Sequence, residues 1–75
     1  MAGAQLPLAM VHENETAVVD RVKGDAELKQ HLAELGFVEG SEVKVVSHVN
    51  GDVIVKVKGA TLGLNRTMAM RISTR

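Results

Sequence analysis

Hydrophobic and polar positions change their spacing twice along the chain, and each change predicts a different element. Leu6, Leu8, Met10 and Val11 form a short apolar lead-in interrupted by Pro7. Proline cannot donate to a sheet ladder, so this segment predicts an edge strand or a docked tail. The polar run His12-Glu13-Asn14-Glu15 predicts a loop. Thr16 to Val22 is rich in β-branched residues and predicts a strand, with either Val18 and Val22 or Ala17 and Val19 turned inward. At Gly24-Asp25 the spacing becomes helical. Asp25 is placed to accept from free N–H groups at a helix start, and Glu27 suits the positive end of the helix dipole. Leu28, Leu32 and Leu35 recur at i, i+4 and i+7, which is one helical face. Gly36 ends the helix as a left-handed residue, with Phe37 placed to fold back on the last turn. The helix so predicted spans about 25–35.

From Ser41 onward the pattern alternates. Val43 and Val45 alternate with Glu42 and Lys44, and Val53, Val55 and Val57 with Ile54 and Lys56. Asn50-Gly51 lies between these runs and tolerates the positive φ of a tight hairpin. Lys58-Gly59-Ala60 predicts a second reversal, Leu62 and Leu64 the next inward pair, and Met68, Met70 and Ile72 the last strand. The turn residues are Gly36, Gly40, Asn50, Gly51 and Gly59. The fold class is mainly β with one short helix. About five short antiparallel strands so closely spaced favour a small barrel, which closes its own edges.

The length of 75 residues allows one domain, 1–75, with 1–5 and 73–75 expected to be flexible. With no cysteine there is no disulfide, thiolate nucleophile or Cys-based metal site. No apolar run approaches the roughly 20 residues of a spanning helix, and the N-terminal residues lack the features of a signal peptide. Nine basic residues balance nine acidic ones. The balance hides a polarity: residues 1–42 carry eight acids and three bases, and residues 43–75 one acid and six bases. Zero net charge and a single aromatic, Phe37, argue against nucleic acid. They leave room for an oriented protein partner.

No catalytic constellation is present: His12, His31 and His48 are scattered, with no nucleophile motif beside them, so the chain is not read as an enzyme. The glycines mark turns and form no phosphate cradle. Glu27, His31 and Glu34 share a helix face at i, i+4 and i+7, a ligand set suited to a divalent transition metal. A solvated face opposite the leucines explains the same spacing, and no cofactor is required. Met68 and Met70 are read as core. Lys56 and Lys58 on one strand, with Arg66 and Arg71 beyond the next turn, form a candidate docking face for an acidic partner; the alternative is ordinary solubility. The acidic helical half offers a second use, head-to-tail self-association. Phe37 and Val38 beside the helix end are a candidate apolar contact, against a purely core role.

The stretch Leu35-Gly36-Phe37-Val38-Glu39-Gly40-Ser41-Glu42-Val43, followed by Gly59, Leu62, Leu64, Ala69 and Ile72, resembles the ferrous iron transport protein A (FeoA) family. The resemblance runs from about Thr16 to Ile72. It implies an SH3-like barrel with a helical insertion between the first two barrel strands. It also implies a cytoplasmic accessory of ferrous iron uptake that contacts the membrane iron permease of the FeoB type and its G-protein domain, without inserting in the membrane. Similar domains in metal-dependent repressors suggest the alternative of a metal-responsive regulatory domain; with no helix-turn-helix preceding it, the stand-alone form is the better match. The sequence departs from the family pattern at Glu39, where the turn usually has proline, at His31, where a basic residue is common, and at Met68 and Met70, where acids are often seen.

Overall fold

The structure, a computed structural model, describes residues 5–75. Its six strands are β1 (Leu6–Pro7), β2 (Thr16–Val22), β3 (Glu42–Val49), β4 (Asp52–Val57), β5 (Ala60–Leu64) and β6 (Ile72–Thr74). They form one antiparallel sheet in the order β1-β6-β2-β3-β4-β5. A 3-10 turn (Leu8–Met10) follows β1, helix α1 (Ala26–Glu34) joins β2 to β3, and a short helix α2 (Arg66–Met70) joins β5 to β6.

Helix α1 begins and ends on the residues that predicted it. The Asp25 carboxylate accepts from the Leu28 N–H at 2.9 Å. At the other end the N–H of Gly36 bonds to the Ala33 carbonyl and that of Phe37 to the Leu32 carbonyl, both at 3.0 Å. This pair of bonds closes the helix and turns Phe37 inward. Leu32 and Phe37 are buried, with Leu28 and Leu35 packed against the same core. A nine-residue helix is marginal alone and depends on this packing and on its cap. Asp25→Ala is expected to lower stability by about 1 kcal/mol, and Asp25→Asn to retain most of it. Urea denaturation followed by circular dichroism reads both; equal midpoints for Asp25→Ala and wild type would show that the cap contributes nothing.

The core is the inward row of the sheet. Val43 faces Val57 and Val45 faces Val55, all buried, while Val53 faces Leu64. Two bulges adjust this row. In β3 the register shifts between Val45 and Ser47, leaving Val46 as an extra, exposed residue and bringing His48 opposite buried Val53. His48 Nε2 then donates to the Val11 carbonyl at 2.9 Å. In β2 a shift between Val19 and Arg21 lets Val19 and Val22 both reach the core alongside Ala17. The inward set therefore follows the Ala17–Val19 alternative before the bulge and regains Val22 after it.

The end of the chain differs most from the expected pattern. Met68 and Met70 lie in α2, not in a strand, because the Asn65 side chain accepts from the Met68 N–H at 2.8 Å and starts a helical turn. Ala69 is the residue of α2 that is buried; Met68 is half-buried and Met70 is exposed. Ser73 and Thr74, expected to be loose, belong to β6 between β1 and β2, and the backbone N–H of Arg75 bonds to the Val18 carbonyl at 2.9 Å. The ladder ties them down because β6 has neighbours on both sides. Of the N-terminal residues expected to be flexible, 1–4 lie outside the described residues. The lead-in is both edge strand and docked segment: Pro7 sits on the edge strand β1, and Leu8 and Val11 are buried.

Candidate functional site

The β3–β4 register builds the cationic part of the site. Lys44 and Lys56 are directly opposed and exposed, with Thr61 of β5 next in the same outward row. Side chains so opposed have Cβ atoms about 5 Å apart, where like charges repel. Lys58 lies beyond the end of β4, in the two-residue turn to β5, with φ +53°. That conformation suits glycine or asparagine and is unfavourable for lysine by roughly 1–2 kcal/mol.

The helix end meets this turn. A Cβ placed on Gly36 would lie 2.9 Å from Lys58 Cγ, so the lysine stem rests against the backbone at the end of α1. Ser41, Glu42 and Lys58 line a surface depression at the same place. The Ser41 N–H bonds to the Val38 carbonyl at 2.9 Å, which holds exposed Val38 beside it. Of the sequence candidates, Lys56, Lys58 and Val38 are thus gathered on neighbouring elements. Phe37 is not part of this surface: it is 1% exposed and belongs to the core. Arg66 begins α2, beyond the far end of β5 from Lys58, and Arg71 closes α2 with its carbonyl bonded to the Lys23 N–H at 2.7 Å. Lys44 was not among the sequence candidates. Its signal was the Val45-Val46 doublet, which marks the bulge that sets Lys44 opposite Lys56.

Among the described residues, Arg75 is the only Lys or Arg with a carboxylate within ion-pair distance, reaching Asp20 at 3.2 Å and Glu39 at 3.8 Å. These two pairs and the insertion of β6 between β1 and β2 interleave the acidic and basic parts of the sequence. Lys44, Lys56 and Lys58 on β3, β4 and the turn after it have no carboxylate within that distance, and neither do Arg21, Lys23, Lys29, Arg66 and Arg71.

Glu27, His31 and Glu34 are exposed on α1. Among the described residues, no three His, Asp or Glu side chains are grouped so as to hold a metal ion. The donor set therefore does not make a formed metal centre. Among the described residues, no helix is long and apolar enough to cross a membrane.

Known proteins share this architecture. A crystal structure of an iron uptake regulatory protein, FeoA, superposes with a TM-score of 0.88 at 22% identity, over 96% of each chain. The Stenotrophomonas maltophilia FeoA complexed with zinc, described as a prokaryotic SH3 domain protein and a candidate ferrous iron transport activating factor, is 27% identical. It superposes with a TM-score of 0.79, covering 91% of this chain and 87% of its own. A manganese-dependent transcriptional repressor bound to manganese matches with a TM-score of 0.87 at 22% identity, over 99% of this chain but 37% of its own. No curated protein matches the chain. The fold is thus mainly β and SH3-like, with α1 inserted between β2 and β3. The sequence model of the FeoA domain matches residues 6–75, and the chain belongs to the FeoA domain family.

Proposed function

We propose that this domain is an accessory of ferrous iron transport that works by protein contact, on a membrane iron permease of the FeoB type and its G-protein domain, at the cytoplasmic face. Family membership supports the iron transport role, together with the activating-factor description of the zinc-bound relative. One observation carries the contact role: Lys44, Lys56 and Lys58 form a cationic strip with no carboxylate paired to it among the described residues, at a turn whose lysine is held in an unfavourable conformation. Folding alone would be better served by asparagine at 58 and by opposite charges at 44 and 56. An acidic partner surface would offset both costs and would speed encounter through charge complementarity. The rival reading, a metal-responsive regulator, draws on the zinc-bound and manganese-bound neighbours. The exposed Glu27, His31 and Glu34 give it no assembled ligand set.

Capture of the permease's cytosolic domains tests the contact. Wild type is expected to bind, with affinity falling as salt rises. The Lys56→Glu, Lys58→Glu double variant is expected to bind at least tenfold more weakly, while Arg66→Glu, Arg71→Glu has the smaller effect. Failure of wild type to bind at tens of micromolar would overturn direct contact.

A further inference from the structure

The two edges of the sheet are built differently. At one edge β1 is two residues long and carries Pro7, features that discourage further strand pairing. At the other, β5 has the sequence Ala-Thr-Leu-Gly-Leu, with no charge, no proline and an unbroken register against β4. It is exposed except at Leu62 and Leu64. β5 itself thus carries no charge, proline or bulge of the kind that blocks an edge.

The hydrogen-bonding parity of β5 follows from its turn. Lys58 and Gly59 both have positive φ and form a two-residue loop closed by the Val57–Ala60 pair. Such a loop closes on a hydrogen-bonded pair, and bonded and non-bonded pairs then alternate. Ala60, Leu62 and Leu64 therefore direct their backbone groups at β4, and Thr61 and Gly63 direct theirs away from the sheet. Among the described residues, no backbone bond outside the ladder takes up the N–H or C=O of Thr61 or Gly63. On the outward face Ile54 fills the space over Gly63: its Cδ1 would lie 3.2 Å from an added Cβ. In sequence, Lys58, whose stem lies against Gly36, precedes this edge and Arg66 follows it; both are exposed, and neither has a carboxylate partner among the described residues.

We infer that the free edge of β5 is a docking strand for an extended, acid-flanked peptide segment, which adds to the sheet through Thr61 and Gly63 and sets its carboxylates against Lys58 and Arg66. The inference deepens the contact reading above and rests on it for the identity of the partner, naming the local chemistry that the partner must present. Main-chain bonds to Thr61 and Gly63 give the affinity of strand addition. The two cations give register. Charge selects this occupant over a second copy of the chain. Antiparallel self-pairing that uses both free residues sets Thr61 against Gly63 of the other copy, which brings Lys58 of each level with Arg66 of the other. Like charges would then meet at both ends.

The probe is a synthetic nonapeptide of alternating threonine and valine with aspartate first and glutamate last. It has as many residues as the stretch from Lys58 to Arg66. Amide exchange of the wild-type protein is followed by NMR with the peptide added. Exchange at Thr61 and Gly63 is expected to slow at least tenfold, while a peptide with lysine at both ends has no effect. Lys58→Glu, Arg66→Glu is expected to reverse that preference. Thr61→Pro removes one edge donor and is expected to weaken peptide binding at least tenfold; the exchange measurement stands without it if that variant unfolds. The inference is overturned if neither amide slows, if both peptides act equally, or if Thr61 and Gly63 slow without peptide as a dimer forms. Capture of the permease domains equally by wild type and Thr61→Pro would also overturn the edge while leaving the contact reading intact. Peptide protection with no permease capture would do the reverse, overturning the contact reading and supporting the edge.

Discussion

Phe37→Ala is expected to leave this protein largely unfolded at room temperature. Phe37 is the single aromatic residue of the chain and is 1% exposed. It sits where the helix end, the sheet and the lead-in share one core with Leu32 and Leu8, each 0% exposed. Truncating a buried phenylalanine costs about 3–5 kcal/mol, counting the lost transfer energy and the cavity left behind. A core of this size without a disulfide supplies about 3–5 kcal/mol of net stability. The two quantities are equal within their spread, so the folded population collapses. Phe37→Leu keeps most of the volume and is expected to cost under about 1.5 kcal/mol. Val38→Ala, next to it but at the surface, is expected to change stability by less than about 0.5 kcal/mol. Urea titration monitored by circular dichroism separates the three. A Phe37→Ala variant within 1 kcal/mol of wild type would mean that the helix end packs independently of the core.

The same contrast shows what the sequence alone can and cannot settle. Helix α1 was legible because its signals are local and agree: the Asp25 cap, the leucine spacing and the Gly36 stop all lie within one short segment. Both tight hairpins were legible from Asn50-Gly51 and Lys58-Gly59 for the same reason. Helix α2 was not, because Met68, Met70 and Ile72 alternate as a strand would, and five residues are too few for a helical period to contradict them. The Asn65 cap was the one local sign. The placement of β6 between β1 and β2 depends on pairing between opposite ends of the chain, which leaves no trace in any local window. The candidate site fails and succeeds on register. Lys56 could be read from alternation within β4 and Lys58 from the turn that follows it, but the approach of Lys44 needs the one-residue shift at Val46. Phe37 was read as both core and contact, and only burial separates the two roles.

Gly36→Ala is expected to cost more than Gly40→Ala, because two independent penalties coincide at Gly36. The first is conformational. Gly36 has φ +109°, outside the range an L-residue adopts comfortably, and holding a side chain in such a region costs about 1–3 kcal/mol. The second is steric. The new Cβ would lie 2.9 Å from Lys58 Cγ and 3.2 Å from Val57 Cγ2. The lysine stem can swing aside, but Val57 is 1% exposed and β-branched, so the helix end must move instead. That movement strains the bonds from Gly36 to Ala33 and from Phe37 to Leu32, and draws Phe37 from its place. Gly40 provides the control. It has φ +88° and nothing within 4 Å of an added Cβ, so Gly40→Ala carries the conformational penalty without the contact. The difference between the two variants in urea denaturation is the steric part. It is expected to exceed about 1 kcal/mol, the low end of the range for overfilling a packed site. The Gly36→Ala variant is also expected to bind the permease domains less well while still folded, because displacing the Lys58 stem moves one cation of the strip. Equal stability losses for the two variants would show that the helix end and the β4–β5 turn are not held against each other, and would remove the physical link between Val38 and Lys58 on which the composite surface depends.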